Sequence, residues 1–308
     1  MYDIIALGGG ISGLASARIL HDYGNNVIVL DKGNKPGGRF ATRRVATEVG
    51  SDYFFDYGIT TFEPFDFNWS KIAGIKDCLA RETTGTFSSL GMRSILEPLA
   101  AGLKIRNRTK VVKIDSLGGF YKVFDEAGNS FDSHKIILTF PIPQSLQLLI
   151  DSGIDIDSKI KSRLEQIKYS RDVVIMIASR KNINDIIPAG LFKKVIENHK
   201  RLRNADNFCY SCFLNEEFVE SEFENDSELT KNKILDQIKI HRQEIIYSSI
   251  HKWRFSRVSK PDNDPFLRLN PNSEIFLLGD AFGTGTAFSA LTNAIRLGEI
   301  INSEIEKK

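Results

Sequence analysis

Three cysteines in 308 residues are too few to frame a fold with disulfides. Cys209 and Cys212 spell C-x-x-C, but they lie in a strand-like run over 207–214. Alternation there sends the two thiols to opposite faces, and no helix start follows, so inert thiols are expected, as for Cys78. The five histidines show no metal-ligand spacing, so no metal is expected. No apolar run approaches the length of a membrane span, and no basic, cleavable leader precedes the first apolar stretch. The expectation is a cytoplasmic protein with no membrane partner. Charge of one sign is also lacking: 41 Lys and Arg against 39 Asp and Glu leave a net +2, which argues against a nucleic-acid partner. Oligomeric state is left open.

Glycine, by contrast, is placed with a purpose. Gly8-Gly9-Gly10-Ile11-Ser12-Gly13 reads G-x-G-x-x-G directly after the apolar run Ile4-Ile5-Ala6-Leu7. A helical pattern follows from Leu14 to Tyr23 and stops at Gly24. A second apolar run, Val27-Ile28-Val29-Leu30, ends on Asp31. Strand, glycine turn, helix, strand and an acid about twenty residues on form the dinucleotide-binding pattern. In that pattern Gly8 makes the tight turn, Gly10 admits a pyrophosphate to the backbone, and Gly13 brings helix against sheet. Ser12 offers its hydroxyl and N–H to phosphate, and Asp31 accepts from ribose hydroxyls.

A second glycine loop, Gly33 to Gly38, continues as Arg39-Phe40-Ala41-Thr42-Arg43-Arg44, and an aromatic stretch runs from Phe54 to Phe62. Gly91-Met92-Arg93 opens an expected helix through Leu99. From Lys110 to Phe140 the pattern is of strands, with turns at Gly118-Gly119 and Ala127-Gly128-Asn129. A β-meander between parallel strands is unusual in a plain NAD dehydrogenase and common in FAD domains of the glutathione-reductase type. The middle of the chain offers strands over 172–179, 207–214 and 245–257 and helices over 158–167 and 228–241, with the acid-rich 215–228 read as an exposed loop. It reads as a mostly antiparallel sheet with helices. Then Glu274 to Leu278, Gly279-Asp280, a glycine loop and a final helix from Ala287 return to the first style.

The run Gly37-Gly38-Arg39-Phe40-Ala41-Thr42-Arg43-Arg44 resembles the G-G-R-[MF]-x-T-R-R signature of renalase-like flavoproteins, within the flavin-containing amine oxidase superfamily. Asp56-Tyr57-Gly58 through Phe62, Gly91-Met92, Ile137 through Gln144, His251 through Phe255 and Gly279-Asp280 resemble further segments of that family. The resemblance implies noncovalent FAD on an α/β fold: a Rossmann-like FAD-binding domain with a β-meander and a mostly antiparallel α+β substrate domain, as in p-hydroxybenzoate hydroxylase. It divides the chain into 1–62, 85–142 and 271–308 for the FAD domain, with a substrate-domain excursion over 63–84 and the substrate domain over 143–270. It implies oxidation of isomeric dihydronicotinamide nucleotides, or a related small reduced substrate, by hydride transfer to flavin N5, with dioxygen as acceptor. A flavin amine oxidase or desaturase, or an FAD-binding protein without turnover, are the alternatives. The cofactor-binding residues expected are Gly8, Gly10, Ser12, Gly13, Asp31, Lys32, Gly38, Arg39, Thr42, Gly58, Thr60, Thr61, Val112, Gly279, Asp280, Thr286 and Ala287. His251, Trp253 and Arg254 are the substrate-side candidates; the flavin carries the chemistry.

Overall fold

The computed structural model describes residues 1–46, 52–61, 79–82, 85–202 and 207–306. Phe62, Cys78 and most of the excursion expected over 63–84 lie outside the described residues.

The chain begins with β1 (Tyr2–Leu7), α1 (Ile11–Asp22) and β2 (Val27–Leu30). Two hairpins follow: β3 (Thr42–Val45) with β4 (Tyr53–Asp56), and β5 (Leu79–Glu82) with β6 (Gly85–Ser88). The helix expected from Gly91 to Leu99 is instead a 3-10 turn over Met92–Leu96 running into the four-residue α2 (Glu97–Ala100). Pro98 at the start of α2 suits a helix opening there rather than a helix interior. Next come β7 (Lys104–Arg106), β8 (Val111–Ser116), β9 (Tyr121–Asp125) and β10 (Ser130–Leu138).

β10 has two halves. Its first residues pair antiparallel with β9, completing the meander, and its second half pairs parallel with β1. Both faces of the parallel sheet are covered, as the unbroken apolar strands require. Ile4, Ala6, Val29 and Ile137 face α1, whereas Ile5, Leu7, Ile28 and Leu138 face the other side. There they meet the meander and α3 (Ile142–Asp151), which is followed by α4 (Ser158–Glu165).

The second sheet is antiparallel, in the order β12 (Phe192–Glu197), β13 (Phe208–Leu214), β11 (Lys168–Ser179), β14 (Ile245–Lys260). Between its strands run the short α5 (Asn198–Arg201), α6 (Glu216–Glu222) and α7 (Ser227–Ile238). α6 corrects the exposed loop expected over 215–228. The Asn215 side chain caps it by accepting from Phe218 N, and Val219 and Phe223, four residues apart, are buried against the sheet. Cys209 and Cys212 point into different clusters on the two faces, and burial pushes both thiols up, Cys209 to about 12.

β15 (Leu267–Arg268) and β16 (Ile275–Leu277) extend the first sheet to the order β15-β16-β10-β1-β2-β7. The chain then closes with α8 (Ala287–Glu306), whose Ala294, Leu297 and Ile301 share a core with α1. Gly298 lets the two helices touch: a methyl there would meet Ile19 Cγ2 at 2.9 Å.

Candidate functional site

The turn between β1 and α1 shows why three glycines are spaced as they are. Gly8 has φ +109°, and a side chain on it would press on Thr139 Oγ1. A methyl on Gly13 would overlap the Gly8 carbonyl oxygen, so only glycine seats the first turn of α1 on β1. Gly10 is the opposite case. A side chain on it would meet nothing within 4 Å and would project into open space. α1 starts at Gly10 with no side-chain cap and no acid in its first turn, leaving N–H groups free for an anion. Asp31 braces this turn from β2: its carboxylate accepts from Gly9 N at 2.6 Å and Gly33 N at 2.7 Å.

From this turn a cavity of about 430 Å³ runs along the carboxyl ends of β1, β2 and β10. Gly8, Gly10, Ser12, Asp31, Lys32, Gly38 and Arg39 line one part, and Phe140, His251, Trp253, Gly279, Asp280 and Ala287 line the rest. A second cavity of about 440 Å³ adjoins it, sharing Arg39, Ile59, Trp253, Asp280 and Ala287. Gly58, Thr60, Thr61, Thr286 and the start of α8 form its floor; Asp172, Lys194, Phe213, Ser256 and Arg257 of the second sheet form its roof.

Arg39 stands at the junction. Its guanidinium grips Asp280 through two bonds of 2.6 Å and donates to the Ser256 carbonyl at 3.0 Å, tying both domains together. Burial works against its charge, but the Asp280 carboxylate outweighs this and raises its pKa. Lys194 donates to Thr60 Oγ1 at 2.6 Å, a second link across the seam. Asp172 is buried, accepts from Ser256 Oγ, and lies 2.5 Å from Lys193 Nζ.

Among the expected residues, Gly13, Thr42 and Val112 line neither cavity. Thr42 is buried behind the glycine loop, where its hydroxyl donates to Asp56 at 2.6 Å and accepts from Arg93 N. Val112 is 42% exposed at an irregularity of the β8–β9 pairing. Arg254 borders the first cavity, but its guanidinium forks onto Glu224 at 2.9 Å and lies over Phe223, on the exposed side of β14. Of the two arginines that follow Thr42, Arg43 donates to Ser249 Oγ on β14 at 2.6 Å and Arg44 pairs with Asp52 at the surface.

His251 and Trp253 do face the cleft, and with Tyr57 they form one cluster. Tyr57 stacks on Trp253 at 5.7 Å and 23°, and the Trp253 indole donates to the Tyr57 carbonyl at 2.7 Å. Burial, then the nearby Arg43 charge, lowers the His251 imidazole from 6.5 to about 4. Asp56 below them moves the other way: burial raises it from 3.8 to about 6, against hydrogen bonds from Thr42 and Met92 N.

Sequence reasoning missed Asp172, Lys194, Ser256 and Arg257. One signal was available, since Asp172 is an acid heading an otherwise apolar strand run and therefore needs a buried partner. For Lys194 and Arg257 there was none.

Fold and cleft together define a dinucleotide-binding α/β protein whose second, sheet-built domain roofs the far end of the cleft. The sequence matches an NAD(P)-binding Rossmann-like domain over residues 7–73. A short stretch is 52% identical over 42 residues to amine oxidase [flavin-containing] B of Canis lupus familiaris, covering 14% of this chain and 8% of that one. Another match is 50% identical over 44 residues to amine oxidase [flavin-containing] A of Sus scrofa, again 14% and 8%. The chain thus spans less than a tenth of the length of the curated relatives it matches. Over its whole length the fold is like that of cyclohexylamine oxidase from Brevibacterium oxydans IH-35A (TM-score 0.63, 11% identity, 99% of each chain). It is also like a putrescine oxidase bound to putrescine (TM-score 0.59, 12% identity, 100% of this chain and 99% of that one).

Proposed function

We propose that this chain is an FAD-dependent oxidoreductase that oxidises a small molecule by hydride transfer, with dioxygen as acceptor. Continuity carries the reading: one cleft runs from the Gly8–Gly13 turn past Asp280 to a chamber under the second sheet. An extended dinucleotide needs such a path, and the open space at Gly10 is where backbone must approach a pyrophosphate. The meander and the resemblance of Gly38-Arg39 and Gly279-Asp280 to flavoprotein segments favour FAD over NAD. FAD supplies a ring that accepts hydride at N5.

In this reading α1 holds the pyrophosphate with its amino terminus, and Lys32 adds a cation beside it. Asp31 holds the turn rigid through two backbone N–H groups, so its contribution to the ribose is shared with that bracing. α8 opens beside the chamber at Ala287 with no acid in its first turn; Thr286 Oγ1 already accepts from Ser289 N, and the positive end of the helix would favour negative charge on a flavin ring held there. Trp253 and Phe213 put apolar surface on the roof, which would limit the entry of water there. The proposed division of labour follows the boundaries at 62, 84, 142 and 270.

Within that class, isomeric dihydronicotinamide nucleotides are the substrate favoured by the G-G-R-F-A-T-R-R resemblance. The matches to amine oxidases, and the likeness of fold to two of them, favour amine oxidation as the second reading. The test is a visible spectrum of the purified protein, followed by anaerobic mixing with 6-dihydro-NAD, NADPH and a monoamine in turn. A flavin spectrum bleached by the dihydro isomer is the expected result; bleaching by the amine alone would establish the second reading. A colourless protein that takes up no added FAD would overturn both.

A further inference from the structure

β14 brings four residues with polar side-chain groups to the first cavity, His251, Lys252, Trp253 and Arg254, and three of them are engaged elsewhere. Lys252 Nζ donates to the carbonyls of Glu222 at 2.8 Å, Phe223 at 3.0 Å and Asn225 at 2.6 Å. The Trp253 indole donates to the Tyr57 carbonyl, and Arg254 forks onto Glu224. His251 is the exception: its imidazole has no hydrogen-bond partner among the described residues. The ring is nonetheless fixed. It is half-buried, edge-on to Trp253 at 4.2 Å and to Tyr57 at 5.1 Å between ring centres. Arg43, whose charge bears on it, donates to Ser249 Oγ and the Tyr247 hydroxyl instead. Burial and that charge keep the imidazole neutral, with one nitrogen a donor and the other an acceptor.

Position decides what His251 serves. It lines the first cavity and not the roofed chamber, whereas Trp253 beside it lines both. It therefore belongs to the dinucleotide cavity, at the end that meets the chamber; none of Gly8, Gly10 and Ser12, at the other end, lines the chamber. We infer that His251 is a cofactor residue rather than a substrate residue, and that it hydrogen-bonds the heteroatom edge of the flavin ring from the side of the second sheet. A neutral imidazole serves either a carbonyl or an N–H of that edge and adds no charge of its own. The inference rests on the reading of this cleft as an FAD site, and it names a residue of the second domain that would hold the ring there.

The experiment uses the full chain, freed of bound flavin and titrated by calorimetry with FAD, riboflavin and ADP. His251→Phe keeps a ring and removes both nitrogens. In it FAD and riboflavin should bind about fivefold more weakly than in wild type, the worth of one neutral hydrogen bond, with ADP unchanged. His251→Gln keeps a donor and an acceptor and should recover part of that loss. The visible band of the bound flavin should shift in the first variant and return toward wild type in the second. Flavin affinity and spectrum unmoved in His251→Phe overturn the inference. So does an equal weakening of ADP, which marks a change of the whole cleft rather than a lost bond to the ring. The flavin reading fails by a different result: a wild-type chain that takes up neither FAD nor riboflavin sinks that reading and the inference with it.

Discussion

Two glycines three residues apart in one turn carry different burdens. Gly10→Val sends its side chain into open space, so the variant should purify without flavin absorbance yet melt with flavin-stripped wild type. Gly13→Ala drives a methyl into the Gly8 carbonyl, and should cost about 1–3 kcal/mol of stability by denaturant unfolding. Flavin retained by the first variant, or full stability of the second, would refute the assignment. Titration supplies a second contrast. His251 is held near 4 and loses its proton on folding, so its contribution to stability falls as pH drops from 6.5 toward 4. Asp56 is held near 6 and gains a proton on folding, so its contribution falls as pH rises from 3.8 toward 6. Between about pH 4 and 6 the two slopes, each at most about 1.4 kcal/mol per pH unit, oppose each other. Unfolding free energies measured across that range should therefore rise with pH in Asp56→Asn relative to wild type, and fall with pH in His251→Gln. Parallel curves for all three proteins would show that neither group is perturbed.

At the scale of elements, legibility followed local chemistry. β1, α1 and β2 were readable because a glycine turn, an apolar run and an acid all act within about thirty residues. The meander was readable from its turns, and β11, β13 and β14 from unbroken apolar or alternating runs. α6 was hidden because Glu216, Glu217, Glu220 and Glu222 outweigh Val219 and Phe223 in any compositional reading. Its cap, Asn215, was the signal that should have been weighed. α7 has the same device: Asp226 accepts from Glu228 N at 2.9 Å and Leu229 N at 3.0 Å. Asp226→Ala should lower stability by about 1 kcal/mol, with amide exchange faster across Ser227–Ile238 than elsewhere. Unchanged exchange in that helix would show that the cap is dispensable. The second-domain residues of the chamber were illegible for a different reason. Lys194, Ser256 and Arg257 meet residues 39, 60 and 280 only through tertiary pairing, which no local pattern encodes.

For the whole molecule, Arg39 is the strongest point on the seam between the two sheets. Removing it alone leaves Asp280, only 13% exposed in its side chain, as a carboxylate without its cation. Arg39→Met should therefore cost about 2–4 kcal/mol, and the double variant Arg39→Met with Asp280→Asn should recover a clear part of that loss. Simple additivity in the cycle would mean that the pair is uncoupled. Among the described residues no helix is long and apolar enough to cross a membrane. Arg39 and Lys194 supply polar links across the seam, and the two cavities share Arg39, Ile59, Trp253, Asp280 and Ala287 along it.

The interleaving of β1, β10 and β16 in one sheet also sets a timetable. β1 and α1 leave the ribosome before β10, so β1 acquires its partner on that side only later. The wall carrying Gly279 and Asp280, and the helix that covers α1, arrive only after the whole second sheet has been made. Until then Ile19, the α1 side chain that meets α8 at Gly298, lacks that cover, and the cleft lacks one side. The cofactor therefore cannot act as a template for the early chain. It is captured only once β16 and α8 have been made and their residues meet those of β1 and α1.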